Sequence, residues 1–240
     1  MIDVGLLLSV IAALGVPALV ARRRPMRTIG GRSFLDVTLS AVGVGVLVGR
    51  LSALALDDPG GLKRLSDVLV IRSGMEFWPG VAAAAVWIVV AARREGCRPL
   101  ARLADLAPFA LWGYAAYEAT CLVRDGCFGP VSPIGLRPEG LSVTMVPVGI
   151  VVAIAVSAVA YGLLSPLTDG RDVVVVVAAI GVVATTRATG SFWLPALGSG
   201  LTRQHRMSIV VAAIALSGLA ALWTRSWRGS PEASPTSGAS

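Results

Sequence analysis

The amino-acid sequence predicts an all-α integral membrane protein, a bundle of seven transmembrane helices with its amino end outside and its carboxyl end inside. Hydrophobic residues make up 55% of the 240 residues and only 15% are charged, a balance that soluble domains rarely have. The apolar residues also fall into several separate runs of about 18 residues or more, the length that a helix needs to cross a bilayer. Residues 1–228 are therefore predicted to form one transmembrane domain, and the Gly-, Ser- and Pro-rich residues 229–240 a disordered cytoplasmic tail.

The first three predicted spans cover residues 2–20, 34–56 and 77–92. Three arginines, Arg22, Arg23 and Arg24, follow the first apolar run. A signal peptide carries its positive charge before that run, so the first span is predicted to be a retained helix. Between the second and third spans, residues 61–74 have apolar side chains at helical spacing. This pattern predicts either a short helix lying in the membrane interface or an ordinary solvated loop.

The last four predicted spans cover residues 103–123, 141–164, 173–186 and 208–223. A turn-rich segment with several prolines, residues 124–140, separates the fourth span from the fifth, and a short polar turn, residues 165–172, follows the fifth. Cytoplasmic loops of membrane proteins carry an excess of Lys and Arg. With the amino end outside, twelve of the 21 Lys and Arg residues lie in inside segments and eight in outside segments, with Arg50 in the membrane. This distribution supports the predicted orientation.

The net charge and the cysteine content indicate which partners and cofactors to expect. The formal net charge is +7, and a basic excess in a membrane protein indicates loops that contact anionic lipid headgroups. The arginines form no continuous patch with aromatic residues, so nucleic-acid binding is not expected. Three cysteines and one histidine give no metal-ligand spacing, and no metal or other cofactor is expected. Cys121 and Cys127 form a disulfide if their end faces an oxidising compartment and otherwise stay reduced, while Cys97 is predicted to be a free thiol.

Arg50 lies inside the apolar run 34–56. A charged side chain at membrane depth is costly, so it usually faces a protein interior or a water-filled cavity and marks a functional site. Arg124 and Arg187 lie at the ends of two other apolar runs, on the same predicted side of the membrane. A guanidinium group makes paired charged hydrogen bonds with phosphate, so these three arginines are predicted to bind an anionic phospholipid headgroup. For each arginine taken singly, the alternative is snorkelling at a helix end.

Six segments, in order along the chain, resemble the motifs of one known family. Residues 45–51 read Gly-Val-Leu-Val-Gly-Arg-Leu, residues 74–80 read Gly-Met-Glu-Phe-Trp-Pro-Gly, and residues 200–208 read Gly-Leu-Thr-Arg-Gln-His-Arg-Met-Ser. They are similar to Gly-x-Arg-Leu-Gly-Tyr, Gly-Met-Ser-Phe-His-Gly-Gly and Gly-Leu-Ser-x-Gly-Gln-x-Leu-Ser of the bacterial prolipoprotein diacylglyceryl transferases. The start of the chain, 4–24, the segment 102–108, Arg-Leu-Ala-Asp-Leu-Ala-Pro, and the segment 127–129, Cys-Phe-Gly, resemble further parts of that family.

The resemblance spans nearly the whole chain and implies both a fold and an activity. It implies seven transmembrane helices in the bacterial plasma membrane, in the orientation given above. It also implies lipoprotein biosynthesis, in which a diacylglyceryl group moves from phosphatidylglycerol to a cysteine thiol in the lipobox of an exported protein. The partners would be an anionic phospholipid, phosphatidylglycerol, and a lipoprotein precursor.

Several positions depart from the family pattern. The histidine of the third-helix motif corresponds to Trp78, and the signature arginine of the fourth helix corresponds to Glu118. Arg50, Arg187 and Gly129 match the pattern. The other departures are Val4 in place of a tyrosine, Cys121 in place of an asparagine, Gly126 in place of a glutamate, and Ser191 in place of the glutamate that partners the arginine after the sixth helix.

These departures leave three functions open. Attack by a thiol needs a base, and departure of a phosphate needs positive charge nearby. Glu76, Glu118 and His205 are the candidate acid–base groups, and each is otherwise a structural residue. The protein is therefore a transferase with relocated acid–base groups, a relative that binds the phospholipid or the lipoprotein precursor without reacting, or an unrelated small transporter. The sequence shows no internal repeat of the kind that many transporters carry.

Overall fold

The structure, a computed structural model, describes residues 4–24, 26–28, 34–60, 74–124, 127–138, 140–164, 171–193 and 201–228. These ranges contain seven α-helices: α1 (Val4–Arg23), α2 (Phe34–Asp57), α3 (Phe77–Arg94), α4 (Pro99–Ala119), α5 (Val148–Leu163), α6 (Asp172–Trp193) and α7 (Arg203–Arg228). A 3-10 turn, Thr120–Arg124, follows α4, and two antiparallel strands, β1 (Phe128–Leu136) and β2 (Met145–Pro147), lie between that turn and α5. The all-α class is confirmed, with one small β-hairpin added.

Successive helices run in opposite directions, so their ends gather into two polar regions. At one end of the bundle, here named the Asp105 end, Arg27 after α1 pairs with Asp105 in α4 at 2.9 Å and with Asp172 at the start of α6 at 2.8 Å. At the other end, named the Glu76 end, Arg203 at the start of α7 pairs with Glu76, which immediately precedes α3. Each pair joins helix ends that lie far apart in the sequence, and this fixes the relative directions of the helices.

Five of the helices, α1, α2, α3, α6 and α7, are long and apolar enough to cross a membrane, as expected for a multi-pass membrane protein. Helix α5 is apolar but has 16 residues, and α4 carries Arg102, Asp105 and Glu118 among its 21 residues. Helix α4 packs against α1, α3, α5 and α6 and buries ten of its residues. Because α4 is surrounded by other helices, its charged side chains meet protein groups rather than lipid.

Glycines bring α2 and α3 into backbone contact. A Cβ atom on Gly49 would lie 2.8 Å from the carbonyl oxygen of Glu76, and one on Gly80 would lie 2.8 Å from that of Gly45. Small residues allow membrane helices to approach this closely. Because Arg50 follows Gly49 directly, this contact places Arg50 beside the residues that precede α3.

Helix α6 is longer than the predicted span 173–186, because it continues to Trp193. The predicted end of this span is therefore wrong, and Arg187, which follows the apolar run, lies inside the helix. The threonines near the end of the run continue the helix instead of ending it. Thr186 Oγ1 donates to the Val182 carbonyl at 2.8 Å, and Thr189 bonds in the same way to the preceding turn. Hydroxyl groups that bond the preceding turn are compatible with a continuing helix.

The bounds of three other predicted spans are also wrong. The seventh helix covers Arg203–Arg228 rather than 208–223. The fourth helix begins at Pro99 and ends at Ala119, rather than covering 103–123, because a proline in the first turn favours an earlier start. Arg102, predicted to lie in the preceding loop, is therefore in the first turn of α4 and is 1% exposed. The fifth helix begins at Val148 rather than at 141, because residues 145–147 pair with β1.

The β-hairpin lies within the segment predicted to be a turn-rich loop and the start of the fifth span. Phe128 pairs with Pro147, and Val131 pairs with Met145. Prolines within β1 lower its apparent strand propensity, because proline is confined to sheet edges and bulges. The pairing is irregular, with shifts in register on both sides of Val131.

Some predictions concern residues outside the described ranges. They are the interfacial helix at 61–74, of which only Gly74 is described, Gly126 as a counterpart of the family glutamate, and the tail 229–240.

Candidate headgroup-binding site

The segment 74–77, which leads into α3, is the meeting point of α2, α6 and α7 at the Glu76 end. Arg50 of α2 donates from Nη1 to the Gly74 carbonyl at 3.3 Å, and its side chain is buried, at 3% exposure. Gln204 of α7 donates from Nε2 to the Met75 carbonyl at 2.8 Å. The Glu76 backbone N–H donates to the Gly49 carbonyl at 3.0 Å. The backbone of this segment is therefore held on both sides by hydrogen bonds.

Glu76 is the buried partner in an ion pair with Arg203, whose side chain is partly exposed. Its Oε1 atom accepts from Nε of Arg203 at 3.0 Å and also from Nη2 of the same guanidinium group. Arg203 Nη2 also lies 3.0 Å from Asp57 at the end of α2. Glu76 is 4% exposed, whereas the Asp57 side chain is 64% exposed. Because Arg203 holds the Glu76 carboxylate, the geometry favours a role for Glu76 in joining α2, α3 and α7.

Arg187 of α6 lies on an aromatic surface at the same end. Its guanidinium carbon is 4.0 Å from the centre of the Phe77 ring, and Nη2 donates to Gln204 Oε1 at 3.1 Å. Tyr114 of α4 packs against Phe77 with ring centres 6.2 Å apart, and its hydroxyl interacts electrostatically with Arg187. A cation on an aromatic face is attracted by the ring and keeps its outer N–H groups for an anion.

Glu118 is within electrostatic range of both Arg187 and Arg124. The carboxylate interacts electrostatically with both guanidinium groups and with the hydroxyl of Tyr114, one helical turn away. Arg124 also lies on a ring, with its guanidinium carbon 4.1 Å from the centre of Tyr117, and its Nη1 donates to the Tyr117 hydroxyl at 2.5 Å. The Nε atom of Arg124 is buried, and no described residue accepts a hydrogen bond from it. One carboxylate is therefore within electrostatic range of two arginines, and the Nε–H group of Arg124 has no acceptor among the described residues.

A disulfide joins the 3-10 turn to the start of the hairpin. Cys121 and Cys127 are bonded, with Cα atoms 5.9 Å apart. The pairing that the sequence left open is therefore present. A Glu118 carboxylate oxygen lies within 4.8 Å of both sulfurs, but the disulfide leaves neither sulfur as a thiolate that could bind a metal. The first turn of α5 packs tightly here, because a Cβ on Gly149 would lie 2.5 Å from the Glu118 carbonyl oxygen.

Trp78 and His205 have aromatic packing roles. Trp78 is 8% exposed and donates from Nε1 to Ser208 Oγ at 3.0 Å, so it ties α3 to α7. His205 is 5% exposed, and its ring meets Phe192 edge-on with centres 4.4 Å apart. Both side chains therefore pack between helices. At the position where the resembling family has its histidine, Trp78 offers only a donor.

The structure brings the sequence-predicted site residues to one end of the bundle. Arg50 and Arg187 both contact the segment 74–77, and Arg124 and Arg187 both interact electrostatically with Glu118. Glu76 lies at the same end but is held by Arg203. The residues that sequence reasoning missed are Phe77, Tyr114, Tyr117 and Gln204. The sequence could have indicated Tyr114, because Tyr114 and Glu118 are four residues apart and therefore share one face of a helix.

Comparison with known proteins does not identify a family. No family model matches the chain, and no curated protein matches it.

Proposed function

We propose that this protein binds the headgroup of an anionic phospholipid, phosphatidylglycerol, at the Glu76 end of a seven-span bundle in a bacterial plasma membrane. The amino end and the Glu76 end face outward, and the carboxyl end faces inward. The scaffold resembles that of the prolipoprotein diacylglyceryl transferases, and the protein binds the phospholipid without the turnover usual in that family.

The observation that carries this proposal is the group formed by Arg187, Glu118 and Arg124. Two guanidinium groups interact with one carboxylate, so the group has one positive charge in excess. A phosphodiester headgroup carries one negative charge, which matches that excess. Both guanidinium groups lie on rings, Arg187 on Phe77 and Arg124 on Tyr117, and this orients their N–H groups for phosphate recognition. Arg187, Glu118 and Arg124 are all partly exposed, so an external group can reach them.

The proposal that the protein does not catalyse transfer is supported by the contacts of the candidate bases. Arg203 holds Glu76 in an ion pair, and His205 is packed against Phe192. Trp78, at the position of the family histidine, cannot accept a proton. Glu118 is the remaining candidate base.

A second candidate function is diacylglyceryl transfer with Glu118 as the base, and the Tyr114–Glu118–Arg187 arrangement favours it. Glu118 would take the proton of the lipobox thiol, and the thiolate would form a bond to the glycerol carbon as that carbon's bond to the phosphate oxygen breaks. Arg187 and Arg124 would stabilise the departing phosphate. This mechanism uses the same site and the same lipid.

Retention of lipid by the purified protein tests the binding proposal. The protein in nanodiscs of mixed phosphatidylethanolamine and phosphatidylglycerol is extracted and its bound lipid is counted by native mass spectrometry. Arg187→Gln and Arg124→Gln are expected to lose most of the bound phosphatidylglycerol. Arg94→Gln, which removes an exposed charge at the opposite end, is the matched control. Equal retention by all three variants would contradict the proposal.

The transferase alternative is tested separately with a lipobox peptide and phosphatidylglycerol that carries a label in its diacylglyceryl group. If the wild-type protein forms labelled peptide and Glu118→Gln does not, the protein is a transferase, and the proposal that it binds the lipid without reacting is overturned. No labelled peptide from protein that still retains phosphatidylglycerol would support it.

A further inference from the structure

The β-hairpin between α4 and α5 exposes apolar side chains along both of its sides. Ile134 is 84% exposed, Val131 66% and Leu136 45% in β1. Leu141 and Val143, on the return path, are 49% and 39% exposed. Soluble surfaces rarely gather apolar residues in this way, and such a set usually marks contact with a membrane or a partner.

The base of the hairpin lies at the end of an apolar helix. A Cβ on Gly129 would lie 3.3 Å from the Trp193 carbonyl oxygen, so β1 begins beside the last turn of α6. Phe192 and Trp193 in that turn are 66% and 52% exposed. Exposed aromatic residues at the end of a membrane helix are typical of the membrane–water interface. The hairpin therefore starts at the depth of the lipid headgroups.

The charge of the hairpin segment also fits an interface. In residues 127–147 only Arg137 and Glu139 are charged. Arg137 is exposed, and an arginine beside apolar side chains reaches headgroup phosphates while its neighbours enter the acyl boundary. We propose that the hairpin inserts Val131, Ile134 and Leu136 into the lipid interface of the leaflet at the Glu76 end, and so acts as a second membrane anchor. This assignment does not depend on headgroup binding by Arg187 and Arg124.

The partner is a lipid surface, and site-specific fluorescence in vesicles tests it. Cys97→Ser supplies a background without a free thiol, and the disulfide is kept. Ile134→Cys is labelled with the environment-sensitive dye NBD, and the protein is placed in vesicles of phosphatidylethanolamine and phosphatidylglycerol. The control is NBD on Asp58→Cys, an exposed residue that follows α2 at the same end.

The label at 134 is expected to emit at shorter wavelength than the control and to lose most of its emission when nitroxide-labelled lipid is added. The control label is expected to respond to aqueous iodide instead. If both labels respond equally to iodide, the hairpin is in water and the proposal is overturned. If the label at 134 is blue-shifted but insensitive to both quenchers, protein covers it, and the proposal is again overturned. Val131→Cys and Leu136→Cys repeat the test, so that the outcome does not depend on one variant.

Discussion

The two polar ends of the bundle use arginine in different ways. At the Asp105 end, the guanidinium of Arg27 is divided between two nearly buried carboxylates, Asp105 and Asp172. Thr28 adds bonds from its backbone N–H and its hydroxyl to the second oxygen of Asp105, at 2.9 and 2.8 Å. Hydrogen bonds to Asp172 and to Asp105 raise the pKa of Arg27, so this group is charged at every physiological pH. The cation is fully engaged by anions of the protein.

At the Glu76 end, the ratio is reversed around Glu118. One carboxylate is within electrostatic range of both Arg124 and Arg187, and each guanidinium lies on an aromatic ring rather than in a closed ion pair. The acceptors of their hydrogen bonds are neutral groups, Tyr117 for Arg124 and Gln204 for Arg187. A cation that is held by two carboxylates stabilises the fold, whereas a network with a cation in excess on aromatic rings can accept an external anion. The two ends should therefore respond oppositely to mutation, one in stability and the other in lipid binding.

The largest expected effect is on the Asp105 end. Asp105→Ala leaves Arg27 with one carboxylate and removes the acceptor of Thr28, and loss of a buried ion-pair partner costs about 3 kcal/mol. The free energy of unfolding, measured by denaturant titration in detergent, should fall by that amount, while folded protein still retains phosphatidylglycerol. Asp58→Asn, at an exposed position, is the control and should change stability by less than about 1 kcal/mol. Normal stability with lost lipid would reverse the assignment of the two ends.

The next effect tests how Arg50 is positioned at the Glu76 end. A Cβ on Gly49 would lie 2.8 Å from the Glu76 carbonyl oxygen, whereas one on Gly43, in the same helix, meets no atom within 4 Å. Gly49→Ala must separate α2 from α3 and should cost about 1–3 kcal/mol of unfolding free energy. Gly43→Ala should be neutral or stabilising by up to about 1 kcal/mol. Equal stability of the two variants would show that the close contact does not determine the packing of α2 on α3.

A smaller effect is expected when the charge at the Glu76 end is kept and its geometry is lost. Arg187→Lys retains the cation but removes the planar group that lies on Phe77 and bonds Gln204. Loss of that stacking is worth about 1 kcal/mol, so phosphatidylglycerol retention should fall about 5-fold with little change in unfolding free energy. Arg94→Lys, at an exposed site, is the control. Retention equal to wild type would mean that charge alone, without stacking, recruits the lipid.

The sequence predicted part of this difference between the two ends of the bundle. Arg50 could be assigned to a buried polar site because an arginine in a long apolar run has few alternatives, and the structure buries it. The position of Arg187 within its helix could not be read, because threonine is polar by composition yet bonds its own helix backbone. The hairpin was not predicted, because prolines lower the strand propensity of a segment even where an edge strand tolerates them. Tyr114 and Tyr117 were not singled out, because tyrosine in a membrane helix is common, although Tyr114 lies one helical turn before Glu118. Only tertiary contacts place Phe77 of α3 against Tyr114 and Arg187.

The smallest expected effect concerns Cys97, which lies among the charged groups of the Asp105 end. Its sulfur is 3.6 Å from the Thr28 carbonyl oxygen and 3.4 Å from Arg102 Nη2, whereas the same nitrogen of Arg102 meets Glu95 at 2.9 Å. A thiol is a weak donor and a weak acceptor, and a serine hydroxyl preserves both functions. Cys97→Ser should therefore change the free energy of unfolding by less than about 0.5 kcal/mol, measured under the same denaturant titration as Asp105→Ala. A loss of unfolding free energy as large as that of Asp105→Ala would mean that the thiol, and not the ion pairs of Arg27, determines the packing of this end. The contrast between the two ends would then no longer depend on charge.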